Sequence, residues 1–380
     1  MAFLEVADVF RQFGPSYLEA FGDRLLPSHR RAIDDIRACR TAAMGGHVYR
    51  CDGCGQHFHV YHGCRNRSCP ACHTHQTRQW LDARAVELLP CPYYHVTVTV
   101  PAQLRELLRG HQIDGYRLLM KAAADAVLAL CADKRYLGAT PAILSVLHTW
   151  TAAMDYHAHV HLLVSGGGIG PDGATWREAK HPFLIPVRAL SRLVRGTFHD
   201  ALKKARPDLE AQLPANVWTR EWVAWCKSWG QGETAVLDYL ARYVHRIAIT
   251  NGRILAMDER TVTFRYKDRK HRQWRTGTLT GHEFMRRFLQ HVLPKGLHKV
   301  RYCGLWHPAR RRQRENARNF LRLAQAEHAP ASPPTEPENA RAQGDIDDTT
   351  LTCPHCGSHA ATCLGPVPRG QAQHPARASP

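Results

Sequence analysis

No apolar run in this 380-residue chain approaches the roughly 18 residues of a membrane-spanning helix, so no helical membrane anchor is expected. A GxxxxGK[ST] loop is absent too, which removes Walker-type nucleotide hydrolysis from the functions to consider. The chain has no internal repeat. Acidic side chains are in deficit: Asp+Glu 33 against Lys+Arg 51 leaves a net charge of +18. That excess, with a pI near 9.6, is more than a small acidic substrate needs and points to a polyanion. The opening stretch MAFLEVADVFRQFG is amphipathic rather than the apolar core of a signal peptide, so a soluble, cytoplasmic protein is expected.

A hydrophobic fraction of 44% is enough for an ordinary core, and the length suggests two or three domains. Of the 13 cysteines, six stand in Cys-x-x-Cys pairs near histidines, the pattern of reduced thiolates holding metal rather than of disulfides. Residues 1–43 read as a helical lead. Residues 44–92 read as a metal-folded segment closed by a helix from about Gln76 to Leu89. Residues 93–252 hold strands at 93–100, 141–151 and 156–165, with helices near 187–204 and 234–249. Gly166-Gly167-Gly168 is expected to force a turn after the third of these strands. Residues 253–328 form a basic region of strands and helices. Residues 329–380 read as a disordered Pro-rich linker and tail. The expected class is α+β, with an antiparallel sheet and flanking helices.

Cys51-Asp52-Gly53-Cys54 and Cys69-Pro70-Ala71-Cys72 are two knuckles whose four thiolates would close a tetrahedral shell around structural Zn²⁺. Cys64, His57, His59, His62, His73 and His75 are spare ligands, and Cys64 is placed either to replace one of the four or to join a second site. Arg65 and Arg67, between the knuckles, read either as DNA-facing or as a solvated face. In the tail, Cys353-x-x-Cys356, with Cys363, His355 and His359 nearby, is half a zinc knuckle without a clear second half.

His157-Ala158-His159-Val160-His161-Leu162-Leu163-Val164 alternates with period two, so three imidazoles share one face of a strand and apolar side chains the other. The pattern suits a metal-binding floor in a cleft, against the plainer reading of solvated histidines. Tyr239 and Tyr243, spaced i,i+4 on a helix, leave the same face one turn apart. Tyrosines so placed beside Leu and Val are more often core residues than nucleophiles.

These motifs, in order, resemble the HUH (His, hydrophobic, His) two-tyrosine transposases of the IS91 type. The resemblance rests on Cys51-x2-Cys54, Cys64-Arg65-Asn66-Arg67-Ser68-Cys69-Pro70-x-Cys72, Tyr94-His95-Val96-Thr97-Val98-Thr99-Val100-Pro101, the histidine strand through Gly168, Tyr239-Leu240-x-Arg242-Tyr243-x-His245-Arg246-Ile247-Ala248-Ile249, and Val262-Thr263-Phe264-Arg265-Tyr266-Lys267-Asp268. It spans roughly residues 5 to 325. It implies a transposase zinc-binding domain, an HUH nuclease domain, His159 and His161 as ligands of Mg²⁺ or Mn²⁺, and Tyr239 and Tyr243 as nucleophiles. The implied reaction is nicking and rejoining of single-stranded DNA from the ends of the element through a 5′-phosphotyrosine bond, in rolling-circle transposition. It also implies a bacterial, nucleoid-associated protein. His95, His157 and Asp155 are candidates for a third metal ligand, while His245 and Arg246 either contact phosphate or cap their helix.

Lys267, Arg269, Lys270, Arg310, Arg311 and Arg312 lie in the densest positive runs and suit contacts to a DNA backbone, as do Arg286 and Arg287. Trp218, Trp222, Trp225 and Trp229 precede the tyrosines, where core packing is the ordinary reading and stacking on unpaired bases the sharper one. A rolling-circle replication initiator, in the same catalytic class, and a non-catalytic zinc-dependent DNA-binding regulator are the alternatives. The regulator leaves the histidine face and the tyrosine pair unexplained.

Overall fold

The computed structural model describes residues 4–72, 88–179, 183–231, 235–236, 239, 243–244, 247–268, 271–327 and 351–370. Most of the helix expected from Gln76, the linker at 329–348, and His73, His75, His245, Arg246, Arg269 and Lys270 lie outside the described residues. The class is α+β. In chain order the named elements are helices α1 (Val6–Phe21) and α2 (Pro27–Ala38), strands β1 (Gly46–Cys51), β2 (His57–Tyr61) and β3 (Pro92–Thr99), and helix α3 (Gln112–Ala132). Strands β4 (Thr140–Trp150), β5 (Tyr156–Ile169) and β6 (Trp176–Glu178), helix α4 (Val187–Ala205) and strand β7 (Val223–Gln231) follow. Strands β8 (Ile254–Met257), β9 (Thr261–Asp268) and β10 (Gln273–Thr280), helix α5 (Gly281–Leu289), strand β11 (Val300–Gly304), helix α6 (Arg311–Glu327) and strand β12 (Ala361–Val367) complete the set.

The central sheet is antiparallel in the order β11-β4-β5-β3-β7, with β6 added beside β5. Period-two alternation sorts its side chains. Val96, Val98, Ala158, Val160, Leu162, Ile143 and Leu147 face helices α3 and α4, forming one core with Leu119, Ala123, Val194 and Phe198. The opposite face carries Leu144, Val146 and Leu163 under Tyr239, Val244, Leu305 and Trp306. Histidines replace the aliphatics where that second face opens into a cleft. Strands β7 and β11 extend the sheet at its two edges, so the structural unit that begins at residue 93 runs on past the expected boundary at 252.

The glycine run 166–168 makes no turn, because β5 continues through it to Ile169. A Cβ on Gly168 would sit 2.3 Å from the Thr140 carbonyl, and one on Gly167 2.4 Å from the Trp176 ring. The glycines are there so that β4 and β6 can approach closely.

Helix α1 buries Val6, Val9, Phe10, Phe13 and Tyr17 along one stripe. At its start the Glu5 N–H donates to the Asp8 carboxylate at 2.9 Å. This stripe joins Ile33 and Ile36 of α2, Val262 and Phe264 of β9, and Phe284 and Phe288 of α5 in one core. The helical lead and the start of the basic region are therefore one packed unit rather than separate domains. At the α1–α5 crossing a Cβ on Gly281 would lie 2.1 Å from the Phe13 ring, so only glycine fits there.

Candidate active site and metal centres

Three strands of the central sheet supply the histidine site. His159 and His161 stand on β5, His148 pairs with His159 from β4, and Thr97 pairs with His161 from β3. The ligand nitrogens of His148, His159 and His161 all lie within 4.8 Å of one another, and the three residues are buried. The third imidazole of this group is His148, which was not among the candidate third ligands His95, His157 and Asp155. His157 sits at the rim, where its Nδ1 accepts from Arg105 at 3.0 Å. Asp155 is held by Arg287 at 2.7 Å.

His95 lies behind the triad. Its Nε2 is 2.9 Å from Nδ1 of His161, and the Thr97 hydroxyl bridges the two rings at 3.0 and 3.2 Å. Burial, aided by the charge of Lys227, holds His95 down at about 4, so the ring is neutral near pH 7. Nδ1 of His159 donates to the His157 carbonyl at 2.7 Å, which makes Nε2 the acceptor nitrogen of that ring. Nε2 of His148 donates to the Tyr243 carbonyl at 2.6 Å, which makes Nδ1 the acceptor nitrogen of that ring. One imidazole therefore links the triad to the backbone of a tyrosine.

The structure brings both expected tyrosines to this floor, but it places them differently. Tyr243 is half-buried in a wide, π-type turn with its ring centroid 4.3 Å from that of His161, and it lines the cleft. Tyr239 is fully buried beneath it, with ring centroids 4.8 Å apart. The Tyr239 hydroxyl has no hydrogen-bond partner among the described residues. Burial, reinforced by Tyr243, pushes that phenol well above the ordinary tyrosine value. The cleft has a volume of about 820 Å³ and also presents Thr99, Trp225, Tyr266 and Lys267.

The tryptophans divide between the two readings. Trp222 and Trp218 pack in the helix-side core. Trp229 wedges edge-on against both Tyr239 and Tyr243. Trp225, opposite Thr97 on β7, is 60% exposed in the cleft.

The four cysteines expected to share one ion are divided between two clusters. Cys69 and Cys72 meet Cys39 and Cys64, with Sγ–Sγ separations of 3.5 Å for Cys39–Cys72, 3.6 Å for Cys39–Cys69 and 3.8 Å for Cys64–Cys72. Tetrahedral zinc with bonds of about 2.3 Å needs sulfurs about 3.8 Å apart, so this shell fits structural Zn²⁺. Cys51 and Cys54 instead face Cys353 and Cys356. The hairpin of β1 and β2 turns one knuckle away from the other, a consequence of tertiary course rather than of spacing. The tail at 351–370 is accordingly structured, contrary to the expected disorder. Cys363 is exposed and joins neither cluster.

Among the basic candidates, Arg67 proves to be internal. Its guanidinium donates to the carbonyls of Leu293, Pro294 and Leu297 at 2.7, 2.8 and 2.6 Å, fastening the cysteine loop to the turn after α5. Arg65, by contrast, is exposed with φ +54° and lines a groove of about 910 Å³ with Arg31 and Lys295. Arg286 and Arg287 are engaged by Glu283 at 2.6 and 2.8 Å. Lys267, Arg310, Arg311 and Arg312 are exposed, although Arg311 also pairs with Glu315 at 2.8 Å.

Residues 142–314 match the family described as "Putative transposase", and residues 9–100 match that described as "Transposase zinc-binding domain". The chain is 41% identical over 318 residues to "Putative transposase y4qJ" of Sinorhizobium fredii, a match covering 79% of each chain. The chain belongs to the IS91-type transposases. This transposase is also 26% identical over 288 residues to "Transposase for insertion sequence element IS801" of Pseudomonas savastanoi, covering 72% of this chain and 68% of that one. No solved structure matches it. The histidine triad and both tyrosines fall within the first family match, and Cys39, Cys64, Cys69 and Cys72 fall within the second. No helix among the described residues is long and apolar enough to cross a membrane.

Cys39 and His148 were not legible as ligands. Cys39 is a lone cysteine at the end of α2, without a partner at knuckle spacing. His148 had one signal: on its strand it shares the period of Leu144 and Val146.

Proposed function

We propose that this transposase nicks and rejoins single-stranded DNA at the ends of its own insertion sequence, through a 5′-phosphotyrosine intermediate, in rolling-circle transposition. The observation that carries the reading is a buried imidazole triad whose third member, His148, is hydrogen-bonded at 2.6 Å to the backbone of a tyrosine lining the same cleft. His148, His159 and His161 would hold the divalent ion, and three nitrogen donors suit Mn²⁺ better than Mg²⁺, which prefers oxygen. Such an ion, when bound, orients a phosphate and offsets the charge that builds on its oxygens.

Tyr243 is the first nucleophile in this account. Its phenolic oxygen, after losing its proton to solvent, forms the bond to phosphorus while the bond from phosphorus to the 3′ oxygen breaks. The departing 3′ oxygen takes up a proton and becomes a free 3′-OH. The bond energy stays in the phosphotyrosine linkage, so attack by another 3′-OH rejoins the strand without ATP. His95 and Thr97 act by fixing the His161 ring, and Trp225 offers a face on which an unpaired base stacks. Tyr239, which lies beneath Tyr243 with ring centroids 4.8 Å apart, serves the second cleavage. Arg65, Lys267, Arg269, Lys270, Arg310, Arg311 and Arg312 are assigned to the DNA backbone.

The test is incubation of the protein with labelled single-stranded DNA from the element's own ends and Mn²⁺, run on a denaturing gel. A protein-linked band that disappears in Y239F/Y243F and on addition of EDTA is expected. Binding with no covalent band on authentic ends would favour the regulator reading instead.

A further inference from the structure

We propose that Cys51, Cys54, Cys353 and Cys356 hold a second structural zinc ion, in a ribbon assembled from the two ends of the chain. The Sγ atoms of Cys51 and Cys356 are 3.5 Å apart and those of Cys54 and Cys353 3.7 Å apart, across about 300 residues of sequence. A disulfide would bring a pair to about 2.05 Å, whereas tetrahedral thiolates around zinc sit about 3.8 Å apart.

The two knuckles have the same backbone, which is independent of the thiol distances. In the first, the Cys51 N–H donates to the Gln56 carbonyl at 2.9 Å and the Gly55 N–H donates to the Cys51 carbonyl at 2.9 Å. In the second, the Cys353 N–H donates to the Ser358 carbonyl at 2.8 Å and the Gly357 N–H donates to the Cys353 carbonyl at 2.9 Å. Gly55 and Gly357 both take the left-handed conformation, at φ +70° and +76°. Each pair is thus shaped to point two sulfurs at one centre, and the centres coincide.

The surrounding fold joins the same two segments. Strand β12 pairs with β1 from Gly46↔Val367 to Cys51↔Ala361, which makes β1 the middle strand of a three-stranded sheet. The Asp52 N–H donates to the Ala360 carbonyl at 3.0 Å, and the Thr362 hydroxyl donates to the Asp52 carboxylate at 2.9 Å. Yet among the described residues only Cys51, Phe58 and Cys353 are buried in the core of this unit, with Tyr49, Leu351 and Ala361 partly buried against them. Three side chains are too few to hold so small a sheet against the entropy of closing so long a loop. An ion shared by both knuckles supplies the missing constraint. The family match that carries the zinc-binding description ends at residue 100, so Cys353 and Cys356 lie beyond it. The inference does not depend on the DNA chemistry proposed above.

Zinc content of the purified full chain tests it. C353S/C356S, C51S/C54S and the quadruple variant should each lose the same single equivalent relative to the parent. An unchanged content, or losses that add in the quadruple variant, would overturn the shared site. A second readout does not depend on how the variants fold. With a protease site inserted between residues 335 and 345, the cleaved C-terminal fragment should co-elute with the body and leave it when a zinc chelator is added. A fragment that leaves while zinc is present contradicts the proposal.

Discussion

Around Cys39, Cys64, Cys69 and Cys72 the chain brings four thiols together inside a hydrophobic core, with Cys39 and Cys69 each 1% exposed. At the histidine floor it brings three imidazoles together on a sheet face, beneath a cleft of about 820 Å³. The first arrangement has all four corners of a tetrahedron supplied by protein, so a bound ion has no position left for a substrate. The second supplies three nitrogens on a face that opens to the cleft, and a tyrosine stands at its edge. Ligand number and the direction of opening, more than ligand identity, separate a structural centre from a reactive one.

The largest effect expected from this contrast is on stability. Cys69→Ser should cost about 5 kcal/mol or more, because a structural zinc contributes folding energy outright, and should remove one equivalent of zinc. Thermal unfolding with metal analysis checks it, and a stable, zinc-replete variant would erase the distinction between the two centres. His148→Ala should do the reverse. It lowers covalent-adduct formation by about 10²-fold or more, as loss of a metal ligand or its orienting bonds does, while the melting temperature of the zinc-replete protein without added Mn²⁺ moves by only a few degrees. Adduct yield and melting curves on the same preparation separate the two outcomes.

The histidine strand was legible because a strand's period of two turns a linear pattern into a face, whereas the spacing of Tyr239 and Tyr243 read more readily as core packing and only the family resemblance singled them out. Spacing cannot say which knuckles share an ion. Cys51 and Cys69 look alike in sequence, and it is the β1–β2 hairpin that separates them while β12 returns with Cys353. Arg67 shows the same limit for charge: its sequence neighbour Arg65 is exposed, whereas Arg67 is occupied by three backbone carbonyls. The glycines at 166–168 read as a turn because their permissiveness is visible in sequence, while the neighbouring strand that requires them is not.

Smaller effects sharpen the picture of the open site. Trp225→Ala should weaken single-stranded DNA binding by about 1–3 kcal/mol, the usual worth of a stacking aromatic, with no loss of stability from so exposed a residue. Fluorescence anisotropy measures it, and unchanged affinity would remove Trp225 from the DNA path. For the arginine pair, Arg67→Ala should destabilise the fold by about 1–3 kcal/mol and leave the salt dependence of DNA binding unchanged. Arg65→Ala should leave stability unchanged and lower the slope of log affinity against log salt by about 1. Parallel denaturant and salt titrations would show whether these two roles are instead exchanged.

The most direct test of the central claim is to map the adduct. The protein is allowed to react with its own single-stranded ends and Mn²⁺ for less than one turnover, the DNA is trimmed by nuclease, and the modified peptide is identified by mass spectrometry. A nucleotide on Tyr243 is expected, with initial adduct formation retained in Y239F and lost in Y243F. A first adduct on the buried Tyr239, or a covalent band that survives in Y243F, would contradict it.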